Sequence, residues 1–276
     1  MPGHRRLVSD LIYDVGMNDG ADTAFYLHQG YRVVAIDADP TLVEAGRERF
    51  RKEIGAGRLA LLNVGIGAGR GSATFWICEG FPVWNSFDRA MATKEGRTAR
   101  AMEIETVPFG EILDEFGVPH YLKVDIEGYD THVVRAVGGG PVPRYLSMEV
   151  QAGPDGGLDL LRELGYGKFK LIHQLNFLAS RTPVREFAHK VITSAAYGRL
   201  SFLEVGRVVR RYTDMYKLAR HNYEFPFGGS GPWGEGAAGN WMTYSRALAV
   251  LSHERERQRK LGRPEDGFWF DWHATG

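Results

Sequence analysis

The stretch Ile12-Tyr13-Asp14-Val15-Gly16-Met17-Asn18-Asp19-Gly20 constrains the fold of this chain more than any other. It reads as a short apolar strand running directly into D-x-G-x-x-x-G and then, from Ala21, into a helical pattern. Glycines are needed at such a bend where backbone must pass close against a bound ligand. A second strand, Arg32-Val33-Val34-Ala35-Ile36, ends on Asp37. An acid at the tip of the second strand, roughly 20 residues beyond a glycine turn, is placed to accept hydrogen bonds from two ribose hydroxyls.

Strand-like and helix-like segments continue to alternate. Pro40 opens a helical segment whose apolar positions Leu42, Val43, Ala45 and Phe50 sit among charged residues, as expected for a helix with a solvated outer face. Residues 59–64 read as a third strand, and 72–77 and 102–107 as shorter β segments around a polar loop. A helix over 109–116 precedes a fourth core strand at 121–126. A fifth follows at 145–150 and a sixth at 169–173. The near-continuous apolar character of these strands implies burial on both faces, and hence a parallel sheet between helices. Right-handed crossovers give an α/β, doubly wound, mostly parallel sheet, with strand one between strands two and four and strand five beyond four. The expected division is residues 1–180 as a Rossmann-like nucleoside-binding domain and 181–276 as a helical, loop-rich extension packed on it.

In that extension Val205, Val208, Val209, Tyr212, Met215, Tyr216 and Ala219 fall on one helical stripe, with Arg207, Arg210, Arg211, Lys217 and Arg220 largely off it. Such a basic face is a solvated surface or a contact for a phosphorylated or carboxylated substrate. Residues 225–234 are rich in glycine and proline and read as a lid carrying Trp233 or as a surface connection. A helix is expected over 241–261. The tail Phe268-Trp269-Phe270-Asp271-Trp272 is too apolar for water and should dock on its own domain or on a second subunit, which would make a homodimer.

Composition narrows the partners. The 34 basic and 34 acidic residues cancel, so nothing global draws the chain to nucleic acid or to an anionic membrane. Cys78 is the single cysteine, which excludes an internal disulfide and a multi-cysteine zinc site. No apolar run approaches the ~20 residues of a membrane span, and residues 1–6 lack the apolar segment of a secretory signal. A soluble, cytoplasmic chain acting on a small-molecule acceptor is the expectation.

Ligands of a doubly wound sheet lie beyond the carboxyl ends of the strands where strand order reverses. Asp14 and Asp37 would flank a cofactor over strands one and two. Asp125, Glu127 and Glu149 would line the neighbouring half, with Lys123 on the same strand face as Asp125. These carboxylates could orient a hydroxyl, take its proton, or hold a hard divalent cation; Glu127 and Asp130 are equally placed to cap the next helix. His173, ending the sixth strand, is a candidate general base or a structural histidine. In the dinucleotide fingerprint G-x-G-x-x-G the helix start is kept free for a pyrophosphate. Here Asp14 and the looser loop suit a nucleoside carrying a cationic amino acid, S-adenosylmethionine, better than NAD. A nicotinamide-dependent oxidoreductase and a non-catalytic nucleoside-binding protein are the alternatives.

Three segments, Asp14-Val15-Gly16-Met17-Asn18-Asp19-Gly20, Ala35-Ile36-Asp37-Ala38-Asp39-Pro40 and Lys123-Val124-Asp125-Ile126-Glu127-Gly128, together resemble the signatures of the FkbM-type methyltransferases. That family typically reads D-V-G-A-N-x-G, A-F-E-P-D-P and K-I-D-V-E-G. The likeness covers about residues 10–175; Asp37 stands where the family usually has Glu, Ala38 where it has Pro, and no family pattern maps beyond about residue 180. The resemblance implies a class I methyltransferase fold that uses S-adenosylmethionine to methylate hydroxyl groups, often on sugars or secondary metabolites. It implies that Asp14, Gly16, Asn18 and Gly20 surround the methionine part of the cofactor, Asp37 its ribose, and Asn63 the adenine, with Ile66 packing on the base. Positioning, exclusion of water and removal of the hydroxyl proton then carry catalysis, with Glu127, Glu149 and His173 as candidates for the proton.

Overall fold

Strand β1 (Leu7–Val15) feeds through a glycine turn into α1 (Ala21–His28), which returns to β2 (Arg32–Asp37). Asp39 then caps α2 (Pro40–Arg49) by accepting from Thr41 N, and Pro40 occupies the first helical turn, where its missing N–H costs nothing. The short α3 (Arg51–Gly55) leads into β3 (Leu59–Asn63). The computed structural model describes residues 5–174, 177, 179, 180, 221, 223–226, 229–262 and 269–276. The chain separates into two compact units, Met1–Glu149 and Val150–Gly276.

In the first unit the chain continues through β4 (Gly65–Ile66), β5 (Gly71–Cys78), α4 (Arg89–Ala92), β6 (Ala99–Val107) and α5 (Phe109–Phe116). Then follow β7 (Val118–Val124), α6 (Asp130–Ala136) and β8 (Tyr145–Glu149). The main sheet runs β3-β2-β1-β7-β8, every neighbouring pair parallel. Strand order therefore reverses between β1 and β7, as expected for a doubly wound α/β fold. Ile12, Tyr13, Val15, Val33, Val34, Ile36, Tyr121, Leu122, Val124, Leu146 and Met148 are all buried, which explains runs without polar alternation. The Tyr13 hydroxyl donates to the Gly117 carbonyl at 2.7 Å, and the Tyr121 and Ser147 hydroxyls pair at 2.6 Å, so these core hydroxyls are satisfied. The two shorter β segments are longer than the sequence suggests. β5 and β6 form an eight-pair antiparallel ladder from Gly71–Thr106 to Cys78–Ala99, with β4 parallel to the far end of β6.

The second unit contains α7 (Leu158–Glu163), β9 (Lys168–His173), the long helix α8 (Tyr244–Lys260) and β10 (Phe270–Thr275). The described part of the aromatic tail docks on its own chain: Phe270–Thr275 form β10, antiparallel to β9, with Trp272 fully buried and its indole N–H on the Gly156 carbonyl at 3.0 Å. Within 225–234 the described residues carry no regular structure until the turn Gly234–Gly236, and a Cβ at Gly231 would lie 2.5 Å from the Phe177 ring. The basic stripe 205–220 lies outside the described residues. Among the described residues no helix is long and apolar enough to cross a membrane.

Candidate active site

The loop after β1 is built on left-handed backbone: φ is +86° at Gly16, +51° at Asn18 and +77° at Gly20. The N–H groups of Gly16 and Met17 both donate to the Ile36 carbonyl, at 2.9 and 3.1 Å, folding the loop over the end of β2. A Cβ on Gly16 would stand 1.9 Å from the Asp125 carbonyl oxygen, and one on Gly20 would be 2.6 Å from the Phe50 ring. Glycine is thus demanded by the close meeting of the β1 and β7 ends as well as by the turn itself.

Asp37 stands at the carboxyl end of β2, partly exposed. Its Oδ2 accepts from Asn18 N at 2.8 Å and its Oδ1 from Asp39 N at 2.9 Å. An ionised carboxylate has about four acceptor directions, so each oxygen keeps one for a further donor. Burial pushes its pKa up to about 6, against the two backbone hydrogen bonds, with the charge of Asp39 adding to the rise. A carboxylate held in place but short of donors suits a vicinal diol. Asn63, at the end of β3, donates to the Asp37 and Ala38 carbonyls at 3.1 and 3.2 Å and so steadies the same corner.

Beneath the loop lies an ionic cluster. Lys123, 4% exposed, donates from Nζ to the Gly16 carbonyl at 2.8 Å and sits 3.2 Å from Asp14, 3.6 Å from Asp22 and 3.6 Å from Asp125. Burial opposes its charge, but the three carboxylates outweigh it and hold its pKa well above the usual lysine range. Asp14 is fully buried, with Oδ2 on the Thr23 hydroxyl at 2.6 Å and Oδ1 against Lys123, so it supports the loop from within. Gly20 and Ile66 are buried as well, whereas Gly16, Asn18, Asp37 and Asn63 reach the surface.

Of the acids expected on the neighbouring half, Asp125 follows β7 with its side chain 32% exposed, the outermost partner of Lys123. Glu127 is partly exposed. Burial first, and then repulsion from Asp125, push its pKa up to about 8, with Lys94 opposing. Asp130 accepts from Ile126 N at 3.3 Å and is the first residue of α6, whose cap position is Tyr129 with no side-chain cap, so Asp130 does not cap this helix. Glu149 ends β8. His173 belongs to the second unit, where it pairs with Phe270 across the β9–β10 ladder and their rings meet edge to face at 4.7 Å. Among the described residues no group of three or more His, Cys, Asp or Glu side chains is arranged to hold a metal ion. The divalent cation expected over Asp125, Glu127 and Glu149 therefore finds no site there; the cation set among carboxylates is Lys123.

Residues between β5 and β6 join this site although the sequence marked them only as a polar loop. Asn85 Nδ2 donates to Asp39 Oδ2 at 2.9 Å, and the Ser86 hydroxyl donates to the Glu127 carbonyl at 2.8 Å. The Phe87 ring lies 5.0 Å from that of Tyr129. Four aromatics, Trp76, Phe81, Trp84 and Phe87, within twelve residues were the available signal.

A search of curated proteins gives no match. Among solved structures the chain is similar to a precorrin-6y C5,15-methyltransferase from Geobacter metallireducens GS-15, at 14% identity over 62% of this chain and 71% of that one. The TM-score is 0.34, too slight a likeness to build on. The glycine loop, the Asp37 corner and the turn from Asp125 to Gly128 all fall within residues 14–167, which match the profile described as Methyltransferase FkbM domain. Because that match spans more than half of the sequence, this chain belongs to the FkbM methyltransferase family.

Proposed function

We propose that this chain is an S-adenosylmethionine-dependent O-methyltransferase whose acceptor is a hydroxyl group of a small molecule, a sugar or a secondary metabolite. Asp37 is the observation that carries the reading. Its carboxylate, on a residue that is partly exposed, is fixed by the N–H groups of Asn18 and Asp39 and keeps acceptor capacity on both oxygens. Two ribose hydroxyls would satisfy it. Gly16 and Asn18 would border the amino-acid portion, and Asn63 would flank the base.

Bound there, S-adenosylmethionine supplies a methyl group made electrophilic by its sulfonium. The chain's own part is to orient the acceptor, keep water out and take a proton. Glu127 is the proposed proton acceptor, because a carboxylate raised to about 8 is close in basicity to the working pH. Asp125 contributes the charge that raises it, while Lys123 stays committed to the Gly16 carbonyl and the buried acids. Glu149, at the end of the next strand, would orient the acceptor.

Isothermal titration with S-adenosylhomocysteine and, separately, with NADH tests the reading. Saturable binding of S-adenosylhomocysteine at one site per chain is expected. Binding of NADH with none of S-adenosylhomocysteine would overturn it.

A further inference from the structure

Three consecutive residues between β5 and β6 reach both halves of the proposed site. Asn85 Oδ1 accepts from Cys78 N at 2.8 Å while its Nδ2 donates to Asp39 Oδ2 at 2.9 Å, so one amide joins the end of β5 to the residue that caps α2. The other oxygen of Asp39 caps that helix through Thr41 N, and the Asp39 N–H in turn holds Asp37. Ser86 is 2% exposed and fixed to Trp76 by two backbone hydrogen bonds, 2.8 and 3.1 Å long. Its hydroxyl donates to the Glu127 carbonyl and accepts from Asp88 N. Phe87 packs between the Phe75 and Tyr129 rings, at 5.1 and 5.0 Å, and its ring tip would stand 2.5 Å from a Cβ on Gly65. Ala38, between the two acids of the β2 corner, packs on the same apolar cluster as Phe87.

We propose that Asn85-Ser86-Phe87 is a clasp that fixes the cofactor corner at Asp37–Asp39 to the turn carrying Glu127, with Asn85 as a positioning residue for cofactor binding. The inference rests on the cofactor reading above and goes beyond it. Ladder hydrogen bonds between Ser86 and Trp76 give the clasp a rigid base, since the β5–β6 ladder beneath it is continuous from Gly71 to Cys78. Each link is short and partly buried, so a movement at either corner is passed to the other through three residues. The Asn85 amide is the narrowest of these links, because it alone touches Asp39 from this side through a side-chain hydrogen bond in the described structure.

Asn85→Asp separates positioning from folding. The new carboxylate keeps an acceptor for Cys78 N but sets a negative oxygen against Asp39 Oδ2, whereas Asn85→Ala removes both links. Affinity for S-adenosylhomocysteine is read by calorimetry, and folding by thermal unfolding of the same samples. Both folded variants should bind about tenfold more weakly than the wild type, and the Asn85→Asp deficit should shrink as the pH is lowered and the two carboxylates share a proton. Amide hydrogen exchange on the wild-type chain is a second test that needs no variant: S-adenosylhomocysteine should slow exchange at Cys78 N–H, whose acceptor is Asn85. Folded variants that bind as the wild type does, or a Cys78 amide indifferent to the ligand, would overturn the clasp and leave the cofactor reading intact. A wild type that fails to bind at all would overturn both.

Discussion

The Asp37 carboxylate gives two opposing pH dependences that a single variant should abolish together. Its pKa in the folded chain is pushed from 3.8 to about 6 by burial. Two pH units correspond to about 3 kcal/mol between the protonation states. The fold therefore favours protonated Asp37, and ionisation weakens the ligand-free fold as pH rises from about 4 to about 6. Ligand binding should run the other way. Ribose hydroxyls donate to the ionised form, so affinity for S-adenosylhomocysteine should be flat above about pH 7 and fall by up to about tenfold for each unit below about 6. Asp37→Asn cannot ionise. The wild-type-minus-variant difference in unfolding free energy should then decline between about pH 4 and 6, and the variant's affinity should lose its dependence on pH. Asp37→Ala, which loses charged acceptance altogether, should weaken binding by about 2–3 kcal/mol. Calorimetric titrations across pH 5 to 8, alongside denaturant unfolding of the same samples, measure both trends. Unchanged affinity in Asp37→Ala, or the same pH profile in Asp37→Asn as in the wild type, would refute the reasoning.

Other consequences follow from charges the structure buries. Lys123→Met leaves Asp14, Asp22 and Asp125 without their shared cation and should destabilise the chain by about 3–5 kcal/mol in urea unfolding. If Glu127 takes the acceptor's proton, turnover should rise as pH climbs through about 8 and level off above it, the base being active only when ionised. Glu127→Gln should then lower kcat by about 10²–10⁴-fold with any acceptor the enzyme turns over, a smaller loss excluding that role. In the second unit His273 is 1% exposed, and burial, with Lys170 adding, lowers its pKa from 6.5 to about 3. Its contribution to stability is complete above 6.5 and is lost as pH falls from there toward 3, because the unfolded chain takes up the proton first. Acid unfolding of His273→Leu should therefore lose part of its steepness over that interval.

The sheet was legible where strands are buried on both faces and obscure where they are not. Leu11 to Tyr13 and Val15 carry an apolar signal broken only by Asp14, but β1 begins at Leu7, in a half whose residues are mostly exposed and whose pairing with β7 slips between Val8 and Ile12. β10 hid for the opposite reason. Asp271 and His273 interrupt its apolar run, yet both are buried, so the polarity of these residues does not report their side of the sheet. The β5–β6 ladder extends past the expected segments through Ala99, Arg100 and Ala101, partners of Cys78, Ile77 and Trp76, where an exposed arginine between two alanines reads as loop when its partner strand is unknown.

Within the site, motif reading located the corners but could not rank the acids. Asp14, Asp37 and Asp125 each lie at the carboxyl end of a parallel strand, and position alone makes them equivalent candidates to meet a ligand. What divides them is one long side chain from β7. Lys123 reaches the Gly16 carbonyl and must be neutralised where it is buried, so it takes Asp14 and Asp22 inward and leaves Asp125 at the edge. Asp37 escapes this demand, held instead by backbone N–H groups that leave its outer lone pairs open. Glu127 owes its raised pKa first to burial and then to Asp125 nearby, the carboxylate that Lys123 leaves at the edge. A lysine two residues before the acidic turn thus decides which carboxylates are structural and which face outward. That decision is made across contacts more than 100 residues apart in sequence, the 107 separating Lys123 from Gly16 among them, where no local pattern can record it.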